Sequence, residues 1–329
     1  MKVGMFSSLR GGPQRFEESR KKYGDAFEFV DLPCPPTPEN AERLKGCEAF
    51  LFSPFKNDGD LFWKKVSEAG VKYVVTCSAG YDHFDLEAMK KYGLKAANVP
   101  SYSPNAVAEH TVMLLLASLR KLRRQLSNIE HYDMELDGLM GREVRNQIIG
   151  VVGAGHIGAV TLEILKGFGP KKLYAYSPHR RARIGELAEY ASLEEIYEKC
   201  DVILFHCALN DENYHMVNTE TIARMKPGVL LVNTARGKLF DAWAVLEGLE
   251  SGQLGAVAMD VIEGEEILRR PQGQNDLPVL DRLLAHDNFL FTMHTAFYTD
   301  EADRNMADTT LANLNEYRTT GSCRNELVK

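Results

Sequence analysis

Residues 150–158 read Gly150, Val151, Val152, Gly153, Ala154, Gly155, His156, Ile157, Gly158, or GVVGAGHIG. An apolar run, IIGVVG from Ile148, leads into Gly153, Gly155 and Gly158 at GxGxxG spacing, and a helical pattern follows. GxGxxG alone is common. With a strand before it and a helix after it, it predicts a dinucleotide site. Gly153 permits the tight turn, Gly155 lets the backbone approach a pyrophosphate, and Gly158 lets helix and strand pack closely. The helix N-terminus then faces the anion.

Such a unit usually ends its second strand on an Asp or Glu about twenty residues further on, where the carboxylate holds the ribose 2′-OH. Here that strand, KKLYAY, ends at Ser177, nineteen residues after Gly158, and the next acid is Glu186. A carboxylate at that place would repel a 2′-phosphate by about 4 kcal/mol at ~4 Å and an effective dielectric near 20. Ser177 removes the repulsion and can donate a hydrogen bond. Arg180 and Arg181, with His179 beside them, can add charge-assisted contacts to phosphate. NADP(H) is therefore expected in preference to NAD(H).

Outward from the glycine turn, short β-rich runs alternate with amphipathic stretches. After it come KKLYAYS, DVILFHC, VLLVNTA, LGAVAMDV and NFLFTMH; before it come KVGMF, AFEFV, EAFLF, KYVVT and LKAANVP. Helical charge patterns lie between them, notably near 13–23 and in DLFWKKVSEAG. Alternation of this kind predicts parallel strands joined by helical crossovers. Around Pro100 the pattern changes. SYSPNAVAEHTVMLLLASLRKLRR reads as a turn and then one long helix, apolar nearly all round between Thr111 and Leu119 and so buried on more than one side. The tail, 299–320, reads as a further helix. The fold class expected is α/β with two doubly wound parallel-sheet domains.

The bulk numbers suit that reading. At 329 residues the chain exceeds one ordinary core. Its 44% hydrophobic and 26% charged residues are ordinary for a globular protein. A net charge of -7 argues against a general nucleic-acid binder. No apolar run approaches the ~18 residues needed to span a bilayer, and the amino terminus reads as a first buried strand rather than a signal peptide. The six cysteines show no CxxC pair and no metal-ligand spacing, so reduced thiols, a cytoplasmic protein and no metal site are expected.

Three predicted strands of the second series end in polar residues that suit one reaction. VLLVNTARG places Arg236 at a strand tip, AMDVIEGEE places Asp260 and Glu265 after the next, and FLFTMHTAFYT places His294 after the last. Arg236, Glu265 and His294 are 29 residues apart each time, at the end where open α/β sheets bind ligands. An arginine there can hold a carboxylate and polarise a neighbouring carbonyl. A histidine, titrating near neutrality, can protonate the carbonyl oxygen as hydride arrives. A glutamate can accept the other imidazole N–H and fix the tautomer.

With these residues in view, the sequence resembles the D-isomer-specific 2-hydroxyacid dehydrogenases over nearly its whole length. The resemblance rests on VPSYSPNAVAEHT, GVVGAGHIG, MKPGVLLVNTARG, AMDVIEGEE and MHTAFYTDEADRNM. The last two blocks are most similar to the D-lactate, (R)-2-hydroxyglutarate and (R)-phenyllactate dehydrogenase branch. The resemblance implies a Rossmann-type cofactor domain, 101–297, inserted in a flavodoxin-like substrate domain, 1–100 plus 298–329. It implies closure over the substrate and a homodimer formed through the cofactor domain. It makes Arg236, Glu265 and His294 the catalytic set and puts Asp260 on the nicotinamide carboxamide. It also places His156, Ile157, Cys207, Ala208, Asn213, Thr234 and Ala235 on cofactor contacts. Tyr102 and Phe297 fall on substrate-pocket positions, and the backbone of Ser78, Ala79 and Gly80 is expected to bind the substrate carboxylate.

The departures from the family pattern set the finer expectations. Ser177 replaces the usual Asp, Cys77 stands where this branch commonly has Arg, and Met293 and Ala208 replace prolines. Ser53 lies near a position that is a bulky aromatic in lactate-type relatives and an Arg in 2-hydroxyglutarate relatives. Serine leaves space, with Phe55, Tyr102, Phe297 and Tyr298 as apolar lining. The expected activity is NADPH-dependent reduction of a 2-oxo acid with a medium to large apolar side chain to the (R)-2-hydroxy acid. The alternatives are a D-lactate or (R)-2-hydroxyglutarate dehydrogenase using NADH and, in another class, a nucleotide-sensing corepressor.

Overall fold

The computed structural model describes residues 1–6, 13–52, 59–81, 83–269 and 277–328. The chain divides into two compact units, Met1–Ser103 with Tyr298–Lys329, and Pro104–Phe297.

The first unit holds a five-stranded parallel sheet of β1 (Lys2–Phe6), β2 (Glu28–Leu32), β3 (Ala49–Phe52), β4 (Tyr73–Thr76) and β5 (Lys95–Ala97), in the order β2-β1-β3-β4-β5. The central strand β3, AFLF, is buried along its length, as a strand covered on both faces must be. On one face helix Asp60–Glu68 buries Phe62, Trp63 and Val66 against Phe50, Phe52 and Phe84. On the other, helix Asp300–Thr320 lays Ala307, Leu311, Leu314 and Tyr317 over Val3, Met5, Leu51 and Val75. Thr299 caps that helix by accepting the Ala302 N–H, Asp300, Glu301 and Asp303 suit its positive end, and Gly321 closes it at φ 73°. The region near 13–23 forms a 3-10 turn, one α-helical turn and a second 3-10 turn rather than one helix, with Gly24 at φ 52° breaking the run.

The second unit holds a seven-stranded parallel sheet of β6 (Ile148–Val152), β7 (Lys172–Tyr176), β8 (Glu189–Tyr190), β9 (Val202–Phe205), β10 (Val229–Asn233), β11 (Leu254–Met259) and β12 (Phe289–Phe291). Its order is β12-β11-β10-β9-β6-β7-β8, so the winding reverses between β6 and β9. Ligands of open α/β sheets bind at such a reversal, outside the carboxyl ends of the strands. β9 and β10 are buried at every residue. Six of these strands correspond to the apolar runs of the sequence; the two-residue edge strand β8 has no such run.

The long helix expected after Pro100 is two helices, Pro104–Leu119 and Leu122–Glu130. Lys121 separates them in the left-handed region at φ 53°. The cause is tertiary. The returning chain donates the Arg142 N–H to Leu119 O at 2.9 Å, taking an acceptor the next helical turn would have used. Lys121 Nζ also donates to Gly138 O at 2.6 Å. The first helix buries Thr111, Val112, Leu114, Leu115 and Leu119 against the sheet and helix His156–Gly167.

Candidate active site

The glycine turn sits at the reversal of the second sheet. Gly153 leaves β6 at φ 96°, and its N–H and that of Ala154 donate to Tyr176 O, at 2.9 and 3.1 Å. A Cβ on Gly153 would lie 2.3 Å from the backbone nitrogen of Cys207, so the turn is pressed against the chain leaving β9. A Cβ on Gly158 would lie 2.5 Å from Gly153 O, which is the close helix–strand approach expected of the third glycine. Around Gly155 there is open space: its Cβ would meet nothing within 4 Å. Gly155 is also the N-cap of helix His156–Gly167 and gives it no side-chain cap. Room, backbone amides and the helix's positive end therefore converge at one point, as a pyrophosphate requires.

Ser177 follows Tyr176 directly, so the carbonyl bonds from the turn hold it beside the glycines. Arg180 and Arg181 are exposed. The Arg180 guanidinium and the Arg181 backbone are placed by a residue the sequence reading missed, Tyr190 of β8. Its hydroxyl accepts the Arg181 N–H at 2.8 Å, and its ring lies 5.1 Å under the Arg180 guanidinium. The signal for it was tertiary, since it depends on an edge strand too short to read.

After β9, His206 lies half-buried beneath the turn. Its Nε2 is 3.0 Å from Thr161 Oγ1 and its Nδ1 3.5 Å from Thr234 Oγ1, which is itself 2.8 Å from Thr111 Oγ1. Burial pushes its imidazolium down to about 4. Burial pushes the neighbouring Cys207 thiol up to about 11, which makes it a neutral contact and a poor nucleophile. Asn213 folds back on its own loop, donating from Nδ2 to Ala208 O at 2.7 Å and exchanging two bonds with Asn210.

Asp260, 1% exposed, organises the chain after β12. Oδ1 accepts the Thr292 hydroxyl at 2.5 Å and the Thr295 N–H at 2.9 Å, and Oδ2 accepts the Ala296 N–H at 2.9 Å. Its own carbonyl accepts the His294 N–H at 2.8 Å. His110 Nε2 stands 3.0 Å from Thr292 Oγ1, and burial lowers that imidazolium's pKa, so a neutral ring donates into the chain that ends on Asp260. These bonds hold His294 at φ 54°, a conformation non-glycine residues adopt only when their surroundings enforce it. Most of Asp260's bonding capacity thus goes to the His294 turn, a use the sequence did not disclose.

His294 Nδ1 lies 2.5 Å from Glu265 Oε1, and Glu265 Oε2 accepts the Ile262 N–H at 3.2 Å. The Phe297 ring stands edge-on to the His294 ring, with centroids 6.0 Å apart. Arg236 leaves β10 on a turn that Asn233 fixes, donating from Nδ2 to Arg236 O at 2.9 Å and accepting the Ala235 N–H at 3.0 Å. Gly237 then passes so close to the next loop that a Cβ would be 2.2 Å from the Ile262 carbonyl carbon. The loops carrying Arg236, Glu265 and His294 thus all leave the carboxyl ends of adjacent strands.

Residues 112–296 match the family model described as D-isomer specific 2-hydroxyacid dehydrogenase, NAD binding domain. The chain is 38% identical over 316 residues to an aromatic 2-oxoacid reductase of Clostridium sporogenes, covering 95% of each chain. The chain belongs to the D-isomer-specific 2-hydroxyacid dehydrogenases. Solved structures of the family agree across the whole chain. The apo-structure of D-lactate dehydrogenase from Escherichia coli superposes with a TM-score of 0.87 at 36% identity, with 100% of each chain covered. A D-2-hydroxyisocaproate dehydrogenase superposes with a TM-score of 0.86 at 31% identity, again with 100% of each covered.

As a dehydrogenase of this family the protein interconverts a 2-hydroxy acid and a 2-oxo acid with a nicotinamide dinucleotide, and the open cradle at Gly155 fits the dinucleotide. In the first unit, the carbonyls of Ser78, Ala79 and Gly80 are each occupied. Ser78 O accepts the Val99 N–H at 3.1 Å, Ala79 O accepts Asn98 Nδ2 at 2.7 Å, and Gly80 O accepts the Ser78 hydroxyl at 2.7 Å. Because peptides are planar and trans, the N–H groups of Ala79 and Gly80 point away from 98–99. Cys77 is buried, and burial raises its pKa. Tyr102 O accepts Asn305 Nδ2 at 2.8 Å. Ser53 and Phe55 lie outside the described residues. No helix among the described residues is long and apolar enough to cross a membrane.

Proposed function

We propose that the protein reduces a 2-oxo acid to the (R)-2-hydroxy acid, with NADPH preferred, and that Arg236, Glu265 and His294 carry the reaction. The observation behind the catalytic assignment is the 2.5 Å contact between His294 Nδ1 and Glu265 Oε1. Glu265 occupies Nδ1, so Nε2 is the proton-transferring atom. In reduction Nε2 gives its proton to the oxygen on C2; in oxidation it takes it back. The Ile262 N–H on Oε2 keeps the carboxylate aligned with the ring. Arg236 grips the acid's carboxylate and polarises the C2 carbonyl. Bound nicotinamide supplies the hydride to C2.

The preference for NADPH rests on Ser177 in place of an acid, with the Arg180 guanidinium over the Tyr190 ring and the Arg181 backbone held by the Tyr190 hydroxyl. The aromatic 2-oxoacid reductase and the hydroxyisocaproate dehydrogenase among the relatives support a medium to large apolar side chain. The D-lactate dehydrogenase relatives equally support a second reading, with pyruvate as substrate. Steady-state kinetics with NADPH and NADH against pyruvate, 2-oxoglutarate, 2-oxoisocaproate and phenylpyruvate decide between them. The proposal for substrate fails if pyruvate has the highest kcat/KM. His294→Ala should lower kcat by about 10²–10⁴-fold, the range of a general acid–base; near-normal turnover would remove His294 from that role.

The same reading takes the protein as a cytoplasmic homodimer formed through the 104–297 unit. Leu126, Ile129, Tyr132, Met134, Leu136 and Met140 are all exposed on and after helix Leu122–Glu130, and a second copy would cover that apolar surface. Sedimentation equilibrium that returned a monomer at micromolar concentration would sink this part.

A further inference from the structure

We propose that Tyr214, His215 and Glu263 form a clasp that positions Glu265, and through it His294, for proton transfer. This rests on the catalytic reading above. Glu265 sits at the end of a tight turn closed by its own N–H to Ile262 O at 3.2 Å and by the Ile262 N–H to its Oε2 at 3.2 Å, with Gly264 at φ 83°. These bonds fix the turn internally. They leave open how the turn as a whole is oriented.

Glu263, in the middle of that turn, supplies an outside anchor. Its Oε2 is 2.6 Å from His215 Nε2, and its Oε1 accepts the Tyr214 hydroxyl at 3.1 Å. The Tyr214 and His215 rings stack with centroids 4.0 Å apart and planes 17° apart, so the two donors move together. His215 adopts φ 49°, which is costly for a residue with a Cβ. Its N–H donates to Lys238 O and its carbonyl accepts Asn218 Nδ2, both at 2.9 Å. Lys238 follows Gly237, whose backbone presses on Ile262 and Glu263. Three loops therefore meet at Glu263: the one after β9, the one carrying Arg236 and the one carrying Glu265.

A partly exposed imidazole–carboxylate contact of this kind contributes little to stability. Strain at His215 and two donors on one carboxylate are more than a stability role needs. Holding the angle of Glu265 against His294 does need them, because a misplacement of about 1 Å remote from the chemistry can cost up to about a hundredfold in rate.

The test uses the full-length protein, NADPH and whichever of the four 2-oxo acids is turned over fastest. Glu263→Gln and His215→Gln should each lower kcat by about tenfold or more, with KM for the oxo acid changed by less than about threefold and the melting temperature little changed. In a Glu265→Gln background, Glu263→Gln should add almost nothing, because the clasp acts through Glu265. Wild-type kcat in both single variants overturns the proposal, as does an undiminished effect of Glu263→Gln in the Glu265→Gln background. His294→Ala separates the two levels. If it keeps near-normal turnover, the catalytic assignment itself falls; if it abolishes turnover while the clasp variants remain at wild-type rates, the clasp alone falls.

Discussion

Replacing Ser177 by Asp should convert the nucleotide preference, and the size of the change can be worked out. Tyr176 O takes the N–H groups of Gly153 and Ala154, so residue 177 leaves the strand alongside the phosphate cradle. A carboxylate there faces a 2′-phosphate at ~4 Å, where one pair of like charges repels by about 4 kcal/mol at an effective dielectric near 20. Ser177 is only partly buried and the two arginines are exposed, so salt reduces this to about 2 kcal/mol. With NADH the same carboxylate accepts a hydrogen bond from the 2′-OH, adding about 1.5 kcal/mol in the opposite direction. The ratio of kcat/KM for NADPH over NADH should therefore fall by about 10²–10³-fold. The assay is steady-state reduction of one oxo acid with each nucleotide at fixed ionic strength, repeated in higher salt, where the NADPH penalty should shrink. A ratio within threefold of wild type would refute both the placing of residue 177 and the cofactor assignment.

Arg236→Lys should cost at least tenfold in kcat/KM for the oxo acid, since a point charge cannot reproduce the guanidinium fork; unchanged oxo-acid kinetics would count against Arg236. Gly153→Ala should destabilise the fold by about 3 kcal/mol or more, because φ is positive and the new Cβ meets fixed backbone at Cys207. Gly155→Ala opens into empty space and should cost the fold less than about 1 kcal/mol while lowering nucleotide affinity; denaturant melts and nucleotide titration distinguish them, and equal destabilisation would contradict the cradle geometry. His206 titrates at about 4 in the folded chain but near 6.5 unfolded. The unfolded chain binds the extra proton in that window, so stability is full above about pH 6.5 and declines toward pH 4, by roughly 2–3 kcal/mol. His206→Gln should flatten that part of the pH–stability curve, and an unaltered slope would show that His206 does not carry it.

The readable parts of the sequence were those governed by local rules. Alternating apolar runs located the main strands because strands buried on both faces must be apolar throughout, and three glycines disclosed the turn because each meets a separate steric demand. The even spacing of Arg236, Glu265 and His294 reflects one βα repeat per polar strand end. What stayed hidden depends on pairs distant in sequence. The break at Lys121 follows from Arg142 taking Leu119 O, and no propensity in 119–123 announces it. Tyr190 gains its place from a two-residue edge strand, and the clasp on Glu263 joins residues 48 apart.

Composition, period and glycine spacing act within a few residues, and they account for the two α/β halves, the dinucleotide turn and the choice of side chains proposed for the chemistry. How those side chains are held follows from long-range contacts. His294 stands at a strained φ because Asp260, itself held by Thr292 and His110, binds the N–H groups of its turn, and the proposed clasp has Glu263 anchor from outside the turn that aims Glu265. Such placement comes from hydrogen bonds between loops on adjacent strands, and those bonds exist only once the sheet has brought the strand ends together.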